Sequence, residues 1–284
     1  MRQKGYSYLA IAEGYEDKFE AALAQLEARL ATSDHQEEED EQSDLLQVHS
    51  GVGVVEIKGM LTDRNSWINS WFGLVAYDEI RRATLRAVEA GVGGIMYLVD
   101  SPGGKVSGMN GAAELISSLE IPTLTYTEST MASAALFLGI QSDHVLAGDF
   151  AEVGSVGVVA TVMDYSEALK KDGIKAKRFR SGDLKQAGHP YFKMTDKEDR
   201  YMQEQVMLYA EKFYNIVSEG RGIPRPLLES LDITSGRTFI GGQAQSVGLI
   251  DGITNFDAAF VKIAGLAQKN IDSRNTNPVT YGKF

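Results

Sequence analysis

A chain of 284 residues with 43% hydrophobic side chains can bury a full core, and its size suits one domain of about 200 to 250 residues with appendages. Its net charge of -11, from 28 Lys and Arg against 39 Asp and Glu, would repel a phosphate backbone, so neither nucleic acid nor an anionic membrane is an expected partner. Cysteine is absent, which excludes disulfides, thiolate catalysis and Cys-ligated metals but leaves the redox compartment open.

The first residues hold only a short apolar patch ahead of Glu13 and Asp17, without the longer apolar region and small-residue cleavage site of a secretory signal. No stretch of about 18 uncharged apolar residues follows anywhere, so the expectation is a soluble, cytoplasmic protein. Helical spacing of Phe19, Ala22, Leu23, Leu26 and Leu30 predicts a helix over Lys18 to Leu30, and the run from Glu37 reads as a solvated acidic linker. Residues 1–47 are therefore set apart as a helix and linker. A catalytic-type domain is assigned to 48–268 and a flexible polar tail to 269–284.

Inside 48–268, strand and helix patterns alternate. A strand begins at Gly51, a helix spans Tyr77 to Glu89, and a buried strand spans Gly94 to Val99. Asp100-Ser101-Pro102-Gly103-Gly104 reads as a tight turn into a helix near Ser107 to Leu119. Pro122 to Tyr126 predicts a strand and Ala132 to Ile140 a small-residue helix. Further strands are predicted at His144 to Ala147, Val156 to Val162 and Lys175 to Phe179. A short helix is expected at Ser166 to Lys171 and a long one at Lys197 to Glu219, ended by Gly220.

Two strand-to-helix junctions carry chemistry. Gly103 and Gly104, lacking Cβ atoms, can turn their N–H groups into a cleft, although a plain Pro-Gly turn would look the same. Ser133 stands at the start of a helical run, where free N–H groups favour developing negative charge; an ordinary capping serine is the alternative. No Gly-x-Ser-x-Gly elbow surrounds it, and His35, His49, His144 and His189 fall in no recognisable triad. A lysine can serve as base once desolvation favours its neutral form, but residue type alone does not select one. His189, in a Gly-His-Pro turn, reads as a surface histidine, and Asp100 and Asp183 as polar turn residues.

The blocks Asp100-Ser-Pro-Gly-Gly, Met131-Ala-Ser-Ala-Ala, Gly154-Ser-Val-Gly-Val-Val, Ser181-Gly-Asp-Leu-Lys185 and Gly236-Arg-Thr-Phe-Ile-Gly-Gly-Gln-Ala, in this order over Gly51 to Gly252, resemble the signal peptide peptidase A family of serine peptidases. With Gly188-His-Pro-Tyr191 and the long helix after it, the chain is more similar still to the head-assembly peptidases of tailed phages, of the minor capsid protein C type. The resemblance implies an α/β fold, a ClpP/crotonase-like βα superhelix with a single catalytic domain. It implies Ser133 as nucleophile and Lys185, 52 positions on, as general base, with Ser155 orienting the lysine. The oxyanion would lie between the N–H of Ala134 and that of Gly104 or Gly103.

No cofactor or metal enters this chemistry. The resemblance further implies protein or peptide substrates, such as capsid scaffold or portal proteins, a homo-oligomer, and a place in host cytoplasm or an assembling procapsid. Three other readings compete. One is a non-hydrolytic capsid-assembly or scaffold-binding protein that kept the fold, and another a cytosolic peptide-degrading enzyme of the same family. The third is an acyl-CoA hydratase or isomerase with a glycine-built oxyanion site, in which Ser133 and Lys185 would be idle.

Overall fold

The computed structural model describes residues 8–32, 45–63 and 69–276. The acidic run from Glu37 lies outside them. In chain order, β1 (Leu9–Ile11) leads to α1 (Glu16–Thr32), then β2 (Leu46–His49), β3 (Val52–Lys58), β4 (Met60–Thr62), β5 (Leu74–Ala76) and α2 (Tyr77–Glu89). Next come β6 (Gly94–Asp100), β7 (Gly103–Lys105), α3 (Met109–Ser117), β8 (Thr123–Thr127), β9 (Thr130–Ala132), α4 (Ala134–Gly139), β10 (His144–Ala147) and β11 (Glu152–Gly154). The chain continues through α5 (Ser166–Lys171), α6 (Asp196–Arg221), α7 (Arg225–Ser230), β12 (Thr238–Ile240), α8 (Gly241–Ser246), β13 (Gly252–Ile253) and α9 (Phe256–Thr276).

The architecture is α/β. A central sheet runs β13-β10-β8-β6-β3-β2 and is parallel except for the β2–β3 hairpin. Its strands are apolar on both faces, as parallel strands covered by helices must be. Val55, Ile57, Ile95, Tyr97 and Val99 face the main core under α2, α3 and α4, whereas Val52, Val54 and Met96 face Ala259, Ile263 and Ala267 of α9. Gly93 lets α9 come this close, because a Cβ there would stand 2.3 Å from the Ala267 carbonyl oxygen.

Two smaller sheets, β1-β7-β4-β5 and β12-β11-β9, stand against the ends of the central strands. The bridge between Ser101 and Met131 ties the end of β6 to β9. The long α6 begins at a capping box made by Thr195 and Glu198, ends at Gly222 with φ 64°, and packs Phe213 edge-on against Phe137 of α4 at 5.3 Å.

Several elements depart from the sequence reading. Gly103–Lys105 is a strand, not a turn, because Leu61 and Ala10 pair with it from either side. No strand forms over Val156 to Val162, whose pairing is the single bridge from Val159 to Leu9. None forms over Lys175 to Phe179 either, where Arg178, like Arg180 just after the segment, turns to Glu198 instead. The assigned tail is helical as far as Thr276, since Ile271 packs at Gly93 and Arg274 reaches the Val92 carbonyl at 3.5 Å. Nor does the N-terminal region stand apart: Leu9, Ile11, Phe19, Leu23 and Leu26 share a cluster with Leu74.

Candidate active site

Strands β9 and β11 run parallel, with Ala132 opposite Gly154, and each delivers a serine at its next residue. Ser133 has φ 54° and ψ -120°, and Ser155 has φ 55°. A non-glycine residue in the left-handed half of the backbone map costs about 1 to 3 kcal/mol, which its surroundings must offset. Here they do so by hydrogen bonds: Ser133 N–H donates to the Gly154 carbonyl at 2.8 Å and Ser155 N–H to the Arg237 carbonyl at 2.7 Å.

Ser133 occupies the position before α4, yet its side chain caps nothing. The hydroxyl is buried, 1% of the residue being exposed, and Oγ has no hydrogen-bond partner. A buried hydroxyl without a partner costs about 1 to 3 kcal/mol. The capping alternative therefore does not describe this serine, which has the strain and desolvation expected of a group kept for chemistry.

Of the two glycines, Gly103 is the one beside Ala134, the residue after Ser133. A Cβ on Gly103, at φ 96°, would lie 2.9 Å from the Ala134 N and 3.0 Å from the Ala132 O. A Cβ on Gly104 would instead strike the Leu61 backbone at 1.9 Å. Ala134 is the first residue of its helix, so its N–H has no intrahelical acceptor. The Gly103 N–H points to Ser101 Oγ at 3.2 Å. An open cleft of about 540 Å³ borders Ser155, walled by Ile11, Gly157, Val159, Tyr214 and Gly236.

Lys185 sits on an irregular loop, exposed, in a turn closed by its own N–H to the Gly182 carbonyl at 3.0 Å. Since Ser133 Oγ has no partner, the Lys185 ammonium does not touch it in the single chain. The loop itself is well anchored. Glu198, its side chain 1% exposed, binds Arg178 at 3.1 Å and Arg180 at 2.6 Å. Burial pushes the Glu198 carboxyl up, but hydrogen bonds from the Thr195 N–H and Arg180, with the charge of Arg178, outweigh it and hold the group below its ordinary value. Arg178 also lies over the Phe192 ring at 4.8 Å.

Three features of the site were not legible in the sequence. The arginine pair on Glu198 is one. Lys105 is another: it is a buried lysine on the glycine strand, but its ammonium is held by Asp63 at 3.0 Å. The third is β1, which lies along β7; its only sequence signal was the short apolar patch ahead of Glu13. His189 accepts from the Tyr191 N–H at 3.2 Å and packs against the Tyr191 and Phe192 rings, which fits a structural histidine. Among the described residues no group of His, Asp and Glu could hold a metal ion, and no helix is long and apolar enough to cross a membrane.

Comparison with known proteins bears on this arrangement. Residues 116–270 match the model of peptidase family S49, a stretch that includes Ser133, Ser155 and Lys185. A putative signal peptide peptidase SppA of Enterococcus faecium is 33% identical over 57% of this chain and 47% of its own length. A putative protease of Methanocaldococcus jannaschii is 31% identical over 67% of this chain and 60% of its own. The capsid assembly protease C of Escherichia phage lambda is 28% identical over 74% and 48%. The chain thus spans about half the length of the curated relatives it matches. A ClpP1 variant from Listeria monocytogenes superposes with a TM-score of 0.47 at 12% identity, covering 72% of this chain and 94% of that one.

Proposed function

Given that the chain belongs to peptidase family S49, we propose that it hydrolyses peptide bonds through an acyl-enzyme, with Ser133 as nucleophile and Lys185 as general base. Neutral Lys185 takes the Ser133 proton, Oγ attacks the scissile carbonyl, and the lysine returns a proton to the leaving amine. Ser155, one residue past the strand beside that of Ser133, orients the lysine. The oxyanion lies at the Ala134 N–H, with Gly103 as the glycine partner; the closeness of Gly103 to Ala134 favours it over Gly104. The observation that carries this reading is the buried, strained and unpartnered Ser133 hydroxyl.

The base is completed by assembly. Lys185 is exposed in the single chain, and a base at neutral pH needs desolvation. The segment leading to it exposes Met163, Tyr165, Ile174 and Phe179, the last 90% exposed. A second copy laid over these side chains would bury both them and the lysine, which supports a homo-oligomer as the working form. The natural role we assign is capsid maturation in a phage or prophage, with scaffold or other capsid proteins as substrates. It rests on the similarity to the lambda capsid assembly protease.

A second reading has one observation in its favour. Lys185 is exposed in the single chain rather than seated at Ser133, as it would be in a non-hydrolytic assembly protein with the same fold. Incubating wild type, Ser133→Ala and Lys185→Ala with a capsid scaffold protein and with casein, and following fragments by mass spectrometry, separates the two. Cleavage by wild type alone supports the peptidase; equal inertness of all three supports the assembly protein.

A further inference from the structure

Strand β7 carries Gly103 and Gly104 past the nucleophile, and both its edges are taken. On one side Leu61 of β4 pairs with Gly104. On the other, β1 runs antiparallel with Leu9 opposite Lys105, Ala10 opposite Gly104 and Ile11 opposite Gly103. The Val106 N–H bonds the Tyr8 carbonyl at 3.2 Å and the Ala12 N–H the Pro102 carbonyl at 2.7 Å, so Ala10 and Gly104 form the hydrogen-bonded pair between them. The far edge of β1 is paired too: Leu9 and Val159 exchange both backbone hydrogen bonds, each at 2.8 Å.

A peptide held for cleavage needs main-chain pairing of this kind, with pockets reading alternate side chains. Residues 8–12 already have it along β7, and Leu9 has it on the far side as well. The Ala10 carbonyl also lies beside the Ala134 N–H, because the position of a Cβ on Gly103 is 2.2 Å from the Ala10 O and 2.9 Å from the Ala134 N. Ala10 is fully buried and points to the main core, while Leu9 and Ile11 turn to Phe19 and Leu26. Ser133 itself is 1% exposed.

We propose that β1 is a built-in substrate mimic: residues 8–12 fill the peptide slot between β7 and Val159, and a substrate pairs with β7 only after displacing them. This rests on the peptidase reading for its consequence, not for its geometry. It also names what the slot accepts, an extended segment with a small residue opposite Gly104 flanked by aliphatic ones, in the pattern Leu-Ala-Ile. Tethering through α1 gives β1 an effective concentration in the millimolar range, so weakly binding peptides are excluded and long or multiply anchored protein substrates are favoured.

The test is a reversible lock. Leu9 and Val159 form a hydrogen-bonded antiparallel pair, whose Cα separation of about 5.5 Å suits a disulfide, and the chain has no other cysteine. In the full-length Leu9→Cys/Val159→Cys variant, binding of a fluorescein-labelled YLAIA peptide is read by anisotropy and casein hydrolysis by fragment release, oxidised and reduced. Oxidation is expected to weaken both by roughly tenfold or more, with recovery on reduction. A second variant, Ala10→Glu, which places a charge in the buried position, is expected to bind the peptide more tightly than wild type. Equal hydrolysis in both redox states would overturn the mimic and leave the peptidase standing. Peptide binding that switches with redox state, without hydrolysis in either, would keep the mimic and remove the peptidase. Absence of peptide binding in the reduced form and in Ala10→Glu would overturn the mimic.

Discussion

Ser133 and Ser155 each stand one residue beyond neighbouring parallel strands, with φ values of 54° and 55°, and Ser133 is tied by its N–H to the carbonyl of Gly154, the residue before Ser155. Two neighbouring non-glycine residues both at positive φ are strained. The Ser133→Ala variant separates catalysis from stability. It should lose roughly 10⁴-fold or more in peptide hydrolysis while its melting temperature stays level or rises, because a buried hydroxyl without a partner has been removed. A drop of several degrees would show that the hydroxyl serves the fold.

The two glycines of β7 should fail differently. A methyl group at Gly104 meets the Leu61 backbone at 1.9 Å, so Gly104→Ala should lose about 1 to 3 kcal/mol of stability in denaturant unfolding. At Gly103 the methyl meets the Ala10 carbonyl and the Ala134 N–H. Gly103→Ala should therefore lose activity and, in hydrogen exchange, lose protection at the amides of Ala10 and Ala12 before global unfolding.

Lys185 bears no structural load in the single chain. Lys185→Ala should leave the melting temperature within about 2 °C of wild type yet abolish hydrolysis, and Lys185→Arg should not restore it, since a guanidinium cannot act as base near neutral pH. Recovery of activity in Lys185→Arg would count against the dyad.

Glu198 gives the molecule an acid-sensitive tie. Its folded value lies below that of the unfolded chain, so the stability it contributes is present above the ordinary carboxylate range and is lost as pH falls through the folded value. Glu198→Gln should flatten that part of the acid limb in thermal unfolding between pH 3 and 6. At pH 7 it should cost about 3 kcal/mol, because Arg178 and Arg180 lose the carboxylate they share.

Much of the fold could be read in advance because parallel strands and their helices write strong local patterns. Tyr77–Glu89, His144–Ala147 and Ser166–Lys171 have the bounds their spacing predicted, and the long helix after the Gly-His-Pro turn extends by a few residues. What failed were segments whose state depends on distant partners. Val153 is in a strand because Met131 and Phe239 flank it, whereas the valine-rich stretch after Ser155 finds only Leu9. Arg178 sits inside the segment expected as a strand and Arg180 just after it, and a buried carboxylate 18 and more residues away claims both. For the same reason three apolar residues near the N-terminus gave no sign of lying at the site. Pairing along β7 is a property of the folded surface and has no local signature.

Because β4 and β1 close both edges of the glycine strand, the resting protein presents no unpaired backbone there to other chains. Opening the cleft changes that. A vacated β7 would be a short edge of two glycines and a lysine, open to pairing with a strand from any neighbour. Keeping that edge covered guards against edge-to-edge pairing between copies of the chain.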